Sequence, residues 1–385
     1  MNLLAIRVGT SLRAIGRAWG SASIPTPRRF IVAIGQIPPP VDGLAYITSE
    51  YIKLLAEDHE VTVLNISPKV AKRGVTYHLS RTFTVLFASV HLVLNAWRAN
   101  RACYMPCQSD FGLVYTIYLL ALARLFKYPT YLHHHNFGYI NEKRRIMALA
   151  LRAGGPQVVH IFLCERMRKR FSETYRKPER SLVISNAAFV LPQANQAHPS
   201  PGAPLRIGLL SNLNREKGLY LFLDLLRAGR EQGLNIQGML AGPLDEHRDG
   251  SAVEAAQKEL GESLKYAGPL YADDKLRFYE SIDVFVFPTI YANEAQPTVI
   301  YEALAAGNLV IAYERGCIAS QVGEKGLIIP QNEPFVPSAL AWLHDLHANR
   351  EKLKSRVSLA KSTEDMHATE RARARAALAL PSSVL

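Results

Sequence analysis

Glu294 and Glu302, separated by seven residues, lie in a segment that leaves a strand at Pro288 and enters a helix at Pro297. Open α/β sheets hold their ligands at the carboxyl ends of strands, which is where Glu294 falls. Pro297 and Thr298 start the helix, and unpaired N–H groups with a positive dipole end suit a phosphate there. A carboxylate beside such a site suits the hydroxyls of a sugar or ribose. Taken singly, the two glutamates would be a loop acid and a solvated helix acid. Lys217 ends Leu210-Ser211-Asn212-Leu213-Asn214-Arg215-Glu216-Lys217-Gly218 and offers a compact charge on a flexible stem. Arg215 beside it either adds to that charge or is a solvated loop residue. Gly242, in Ala241-Gly242-Pro243, and Gly43, in Pro40-Val41-Asp42-Gly43, each follow a strand. A residue without a Cβ lets backbone N–H groups approach an anion, or simply makes a turn. His133-His134-His135 ends a further strand. Consecutive strand residues alternate faces, so these three cannot ligate one ion, and no metal site is expected. No pair of carboxylates has the arrangement of a glycoside hydrolase.

The elements that must position these groups follow a regular order. Phe30-Ile31-Val32-Ala33-Ile34-Gly35 is an apolar run ending in glycine, which predicts a buried parallel strand. A loop through Pro38-Pro39-Pro40 leads to a helix over about 45–56, and Val61-Thr62-Val63-Leu64 is the next strand. Strand, loop, helix and strand in this order make a doubly wound βαβ unit. Phe83–Trp97 and Gly112–Phe126 are strongly apolar, and each is shorter than the ~20 residues a bilayer-spanning helix needs, so both are expected to be buried helices. Thr130-Tyr131-Leu132 is a strand running into the histidines. Beyond a proline-rich stretch the alternation restarts, with strands at 205–210, 237–241, 264–268, 284–288 and 309–312. Helices are expected over 218–229 and 297–306.

Charge divides the chain in the same place. The 385 residues carry 45 Lys+Arg and 33 Asp+Glu, a formal net charge of +12. Residues 1–204 hold 25 basic and 10 acidic side chains, residues 205–345 hold 12 and 19, and residues 346–385 hold 8 and 4. Between Arg98 and Arg180, 15 basic residues face 5 acids. Two domains with different tasks follow from this asymmetry. Aromatic residues are not interleaved with the basic runs as in a stacking platform, so nucleic acid is not expected as a partner. The four cysteines have neither CxxC nor zinc-site spacing. Residues 1–29 carry five arginines and no acid. Arg7, Arg13 and Arg17 interrupt any secretory signal, leaving a transit peptide, an over-long start or a membrane-surface helix.

The Glu-x7-Glu segment followed by Ala303-Leu304-Ala305-Ala306-Gly307, with the strand Asp283–Pro288 and Tyr266-Ala267-Gly268-Pro269 before it, resembles the signature of the family 4 retaining glycosyltransferases. The resemblance runs from about Phe30 to about Ile329. It implies the α/β GT-B fold, two Rossmann-like doubly wound domains facing across a cleft, here with a C-terminal helical tail. The expected division is a basic extension over 1–29 outside the fold, an acceptor domain over 30–190 and a proline-rich linker over 191–204. A nucleotide-sugar donor domain over 205–345 and the tail over 346–385 complete it.

By the same resemblance Lys217 binds the donor diphosphate, with the helix start at Pro297 and Thr298, while Arg215 either substitutes for the family's arginine or is a solvated loop residue. Gly242 packs near the base, Gly43 approaches the diphosphate, Glu302 holds the ribose and Glu294 a hydroxyl of the sugar. His135 contacts the transferred sugar. Asn186, before the interdomain linker, is read as structural. Asn212 stands where the family usually has an arginine, and Leu44 where it often has a second glycine. The implied reaction moves a sugar from a UDP-sugar or GDP-sugar to a glycan, lipid-linked or polysaccharide acceptor, forms an α-linkage and uses no metal or other cofactor. A 2-epimerase of the same fold and an inactive sugar-nucleotide scaffold are the alternatives. The basic half suggests a cytoplasmic protein held peripherally on an anionic membrane.

Overall fold

A computed structural model describes residues 6–7, 28–39, 43–67, 74–190, 203–350, 353 and 356–379. The chain divides into two units. The first comprises Met1–Ser185 with Arg371–Leu385, and the second Asn186–Glu370.

The first unit is built on strands β1 (Ile6–Arg7), β2 (Phe30–Gly35), β3 (Glu60–Asn65), β4 (Arg101–Cys107), β5 (Thr130–His134), β6 (Val159–Phe162) and β7 (Arg180–Val183). Helices α1 (Gly43–Asp58), α2 (Val75–Leu94), α3 (Leu113–Leu125), α4 (Gly138–Asn141), α5 (Arg145–Gly154) and α6 (Glu165–Thr174) fall between them. The sheet order is β1-β3-β2-β4-β5-β6-β7, parallel except for β1. Ile31, Val32, Ala33 and Ile34 of β2 are all buried, as a strand covered on both faces must be. Ile6 and Arg7 pair antiparallel with Val63 and Thr62, so two residues of the segment expected outside the fold form a sheet edge. The rest of residues 1–27 lies outside the described residues.

Two expected buried helices differ from expectation. α2 begins at Val75 and turns only one side, with Val85, Ala88 and Leu92, to the core. Phe83, Leu86, Val90 and Leu94 on its other side are exposed, as are Val114, Tyr118 and Leu125 of α3. Both helices are apolar all round, and a sheet covers only one side of a helix. Apolar content alone does not reveal that, among the described residues, none covers the second side.

The second unit has the strand order β10-β9-β8-β11-β12-β13, every pairing parallel. Its strands are β8 (Leu205–Leu210), β9 (Ile236–Ala241), β10 (Leu264–Tyr266), β11 (Val284–Phe287), β12 (Leu309–Tyr313) and β13 (Gly326–Ile329). Helices α7 (Leu219–Glu231), α8 (Ser251–Leu260), α9 (Asp273–Ser281), α10 (Thr298–Ala305), α11 (Ile318–Val322) and α12 (Phe335–Ala348) complete it. The order reverses between β8 and β11. That is the topological switch point, where loops leaving two neighbouring strands in opposite directions open a crevice. Phe222, Phe285, Phe287 and Leu343 belong to one buried core around this sheet. At the other end of β8, the wholly buried Asp283 accepts from the Arg206 backbone N–H at 2.9 Å and from its guanidinium at 2.7 Å.

The last helix, α13 (Arg356–Ala379), crosses the division of the chain. Thr363 packs into the second unit, its hydroxyl within 3.4 Å of the Leu304 carbonyl. Arg371 and Arg375 pair with Glu57 and Asp58 at the end of α1. The tail therefore starts on one unit and ends on the other. The expected linker over 191–204 falls outside the described residues except for its last two.

Candidate functional site

The switch point of the second sheet brings together two of the expected residues. β8 leads into a tight turn in which the Lys217 N–H donates to Asn214 Oδ1 at 2.9 Å and the Gly218 N–H to the Arg215 carbonyl at 3.0 Å. Gly218 is left-handed, at φ +87°, and a Cβ there would lie 2.4 Å from the Pro288 carbonyl oxygen. Only glycine allows the turn after β8 to approach the end of β11 so closely. The Glu216 carbonyl in turn accepts from the N–H groups of Ile290 and Tyr291 at 2.8 and 3.0 Å, locking the two loops together.

Across that contact Lys217 Nζ lies 2.5 Å from Glu294 Oε2 and 4.8 Å from the centre of the Tyr291 ring. Thr289 Oγ1 sits 3.2 Å from the same carboxylate oxygen. The Glu294 side chain is 10% exposed and that of Lys217 23%, so this is a pair at the edge of water rather than in the core. Thr289 and Tyr291 were not singled out in the sequence. Their signal is proximity to Glu294 in the same loop.

Glu302 has its own partners. It accepts from Tyr279 Oη at 2.8 Å and lies 2.7 Å from Lys275 Nζ, both groups coming from α9. Burial, and then the Glu302 charge beside it, hold the Tyr279 hydroxyl well above its ordinary pKa. Tyr279 stays a neutral donor to the carboxylate. Lys275 and Tyr279 precede Glu302 by 27 and 23 residues, and nothing in their spacing points to it.

The loop carrying Glu294 is held from behind. The Cys317 N–H donates to the Ala295 carbonyl at 2.7 Å. Gly316 has φ +47°, and a Cβ there would sit 2.2 Å from the Glu294 carbonyl oxygen. Asn186 donates through its backbone N–H to Gln296 Oε1 and through its side chain to the Gln296 carbonyl, at 2.7 and 2.8 Å. The structural role expected of Asn186 is thereby given a mechanism. Pro297 sits just before α10, which starts at Thr298, and Gln321 donates to its carbonyl at 3.0 Å. Thr298 and Val299 lead the first turn, whose N–H groups have no carbonyl within the helix to meet.

Gly242 leaves β9 at φ +122°, and a Cβ would meet the Ser211 carbonyl oxygen at 1.8 Å. Glycine is required there by the backbone of β8, independently of any ligand. Asn212 is exposed at the end of β8. The Arg215 guanidinium stacks over Tyr220 at 4.3 Å, and Tyr220 donates to the buried Asp249 at 2.8 Å. Arg215 is exposed, with its guanidinium resting on the Tyr220 ring.

Gly43 and His135 belong to the first unit. Gly43 is the first residue of α1, and a Cβ there would meet no atom within 4 Å. Residues 40–42 lie outside the described residues. His135 follows β5, its ring centre 4.0 Å from that of His133. His134 turns to the opposite face and bridges Tyr139 and His160, both at 2.9 Å. The alternation that separates the three histidines is as the strand geometry requires. Burial pushes His135 down to about 3 and His160 to about 4, so both are neutral near pH 7. Among the described residues no group of three His, Cys, Asp or Glu side chains could hold a metal ion.

A lysine and an acid thus meet at the switch point of one doubly wound sheet, with a second acid inside the following helix. Residues 192–360, less than half of the chain, match the family described as glycosyl transferases group 1, and the two-unit fold is that of GT-B proteins. The chain is 24% identical over 164 residues to a putative colanic acid biosynthesis glycosyltransferase, WcaL, of Salmonella typhimurium. That match spans 40% of each chain. Among solved structures it is similar to HepE of Anabaena in complex with UDP, at a TM-score of 0.67 and 15% identity, covering 92% of this chain and 100% of that one. It is likewise similar to a sucrose-phosphate synthase from Thermosynechococcus elongatus, at 0.66 and 16%, covering 90% and 96%.

Proposed function

We propose that the protein is a retaining glycosyltransferase that moves a sugar from a nucleoside diphosphate sugar to a glycan, lipid-linked or polysaccharide hydroxyl, forming an α-glycosidic bond. The observation that carries this reading is the Lys217–Glu294 contact of 2.5 Å at the switch point, inside the group 1 glycosyl transferase domain. Glu294 holds the ammonium where a diphosphate would lie, so the positive charge is in place before the donor arrives. When the donor binds, Lys217 and the leading N–H groups of α10 take the diphosphate, and Glu294 is freed to accept from a hydroxyl of the sugar. Glu302, oriented by Tyr279 and Lys275, accepts from the ribose hydroxyls. The neutral His135 is assigned to the transferred sugar by the family resemblance.

In the reaction the bond from the anomeric carbon to the diphosphate oxygen breaks as the bond to the acceptor oxygen forms on the same face of the sugar. The acceptor proton passes to the departing diphosphate oxygen. Neutralisation falls to Lys217 and the helix start, so no metal is needed. The UDP and UDP-glucose bound by the structurally similar HepE support a uridine donor as the first to test. Transfer to a panel of acceptors in the presence of a chelator, with the product anomer read by proton NMR, should give an α-linked product. A β-linked product, or full activity in Glu294→Ala, would overturn the assignment.

A further inference from the structure

The outer face of α2 and α3 plays no part in the site described above. On α2, Val75, Leu79, Phe83, Leu86, Val90 and Leu94 are all exposed, at 77% for Val75 and 71% for Phe83, and Trp97 just beyond is 82% exposed. At about 100° per residue these positions fall within roughly one quarter of the helix circumference, a continuous stripe about 30 Å long. Contacts of α2 with the segment leading into α3 and with α3 itself extend the stripe sideways. The His78 ring lies 5.5 Å from that of Phe111, Thr82 Oγ1 lies 3.4 Å from Tyr115 Oη, and the Trp97 ring lies 6.3 Å from that of Phe126. Phe111, Val114, Tyr118 and Leu125 thus lie beside the α2 stripe, also exposed. Large contiguous apolar patches on a soluble surface mark interaction sites.

The charge around the stripe identifies its partner. From residue 61 to residue 141 the sequence holds eight Lys/Arg and one acid, Asp110; of the eight, Lys69, Lys72 and Arg73 lie outside the described residues and Arg81 is buried. Arg124 and Lys127 are exposed at the C-terminal end of α3. Arg28, Arg29 and Arg98 line a cavity of about 260 Å³ beyond the end of α2, with Glu60 as its acid. A second copy of the chain would set this cationic surface against itself, since a two-fold interface uses the same patch twice. Residues 1–29, with five arginines and no acid, would be repelled in the same way. A bilayer carrying anionic headgroups meets both features. Its acyl boundary accepts the apolar stripe, its phosphates accept the cations, and Trp97 and Tyr118 are the residue types favoured at that boundary. Among the described residues no helix is long and apolar enough to cross a membrane.

We propose that the α2–α3 face seats on an anionic phospholipid surface, with the stripe from Val75 to Trp97 lying in the plane of the headgroup–acyl boundary. The proposal is independent of the sugar-transfer reading. It is tested by flotation of the full chain with phosphatidylcholine vesicles with and without phosphatidylglycerol, comparing the wild type with F83S/V90S and R124Q/K127Q. The wild type should float with the anionic vesicles and less well in high salt. F83S/V90S should weaken the partition about tenfold or more. R124Q/K127Q should flatten the salt dependence. Both changes are on exposed positions, so melting temperature and nucleotide binding should match the wild type. In the otherwise unaltered chain, vesicles should shift tryptophan emission to the blue, and Trp97→Phe should remove that shift. Failure of the wild type to float, equal flotation of F83S/V90S, or a wild-type dimer that F83S/V90S converts to monomer would overturn it.

Discussion

Lys217 and Glu294 are each the other's partner at 2.5 Å, so changing either leaves a charge half out of water. Removing one member of a partly buried pair leaves the other charge without its partner, which removing both does not. Lys217→Ala and Glu294→Ala should each lower the melting temperature, and the double variant should fall short of their sum by about 0.5–3 kcal/mol in a double-mutant cycle. Additive losses would mean that the contact does not hold the loops. Glu294→Gln keeps the shape and removes the charge that orders Lys217. Turnover should fall about 100- to 1000-fold while UDP affinity changes far less, measured by steady-state kinetics beside calorimetry. Glu294, Glu302, Lys217 and Gly242 were legible because each sits at a fixed offset from a strand end or a helix start. Lys275, Tyr279 and Gly316 were not. They reach Glu302 and Glu294 through the packing of α9 and of the turn after β12, which spacing along the chain does not encode.

At the scale of elements, the βαβ order could be read because parallel strands buried on both faces appear as short apolar runs. β2, β8 and β11 fall close to their expected positions. The strand order that makes β8 and β11 neighbours follows from the fold class rather than from any one run. The apolar segments of α2 and α3 suggest burial from sequence, because an exposed apolar helix side has the same composition as one facing protein. The loop carrying Glu294 depends on a backbone approach that only Gly316 permits. Gly316→Ala places a Cβ 2.2 Å from the Glu294 carbonyl oxygen at a left-handed φ. It should cost roughly 2 kcal/mol or more in the second unit and weaken UDP binding. Hydrogen exchange should show the loss in residues 289–297 and leave the first unit unchanged.

For the molecule as a whole, the net charge of +12 resolves into a basic stretch over residues 1–204, an acidic one over 205–345 and a basic tail. The two units divide the chain close to the same place, between Ser185 and Asn186. The first unit also stores a pH dependence. His133, His134, His135 and His160 are held neutral by burial, with His160 near 4 and His135 near 3. Their folded values lie below the ordinary value near 6.5, so the unfolded chain binds more protons as pH falls. Their contribution is fully present above about pH 6.5 and is lost on acidification towards pH 4, by about 1.4 kcal/mol per pH unit for each histidine. Melting of the first unit should therefore drop between pH 6.5 and 5, and His160→Asn should make that drop shallower. In the proposed function Lys217 and Glu294 form the diphosphate end of a nucleotide-sugar site. Calorimetric titration of UDP and GDP into the wild type and Lys217→Ala, both in EDTA, tests it most directly. The wild type should bind one of the two without metal, and Lys217→Ala should bind it roughly 10- to 100-fold more weakly. Equal affinity in the two proteins, or no binding of either nucleotide to the wild type, would contradict it.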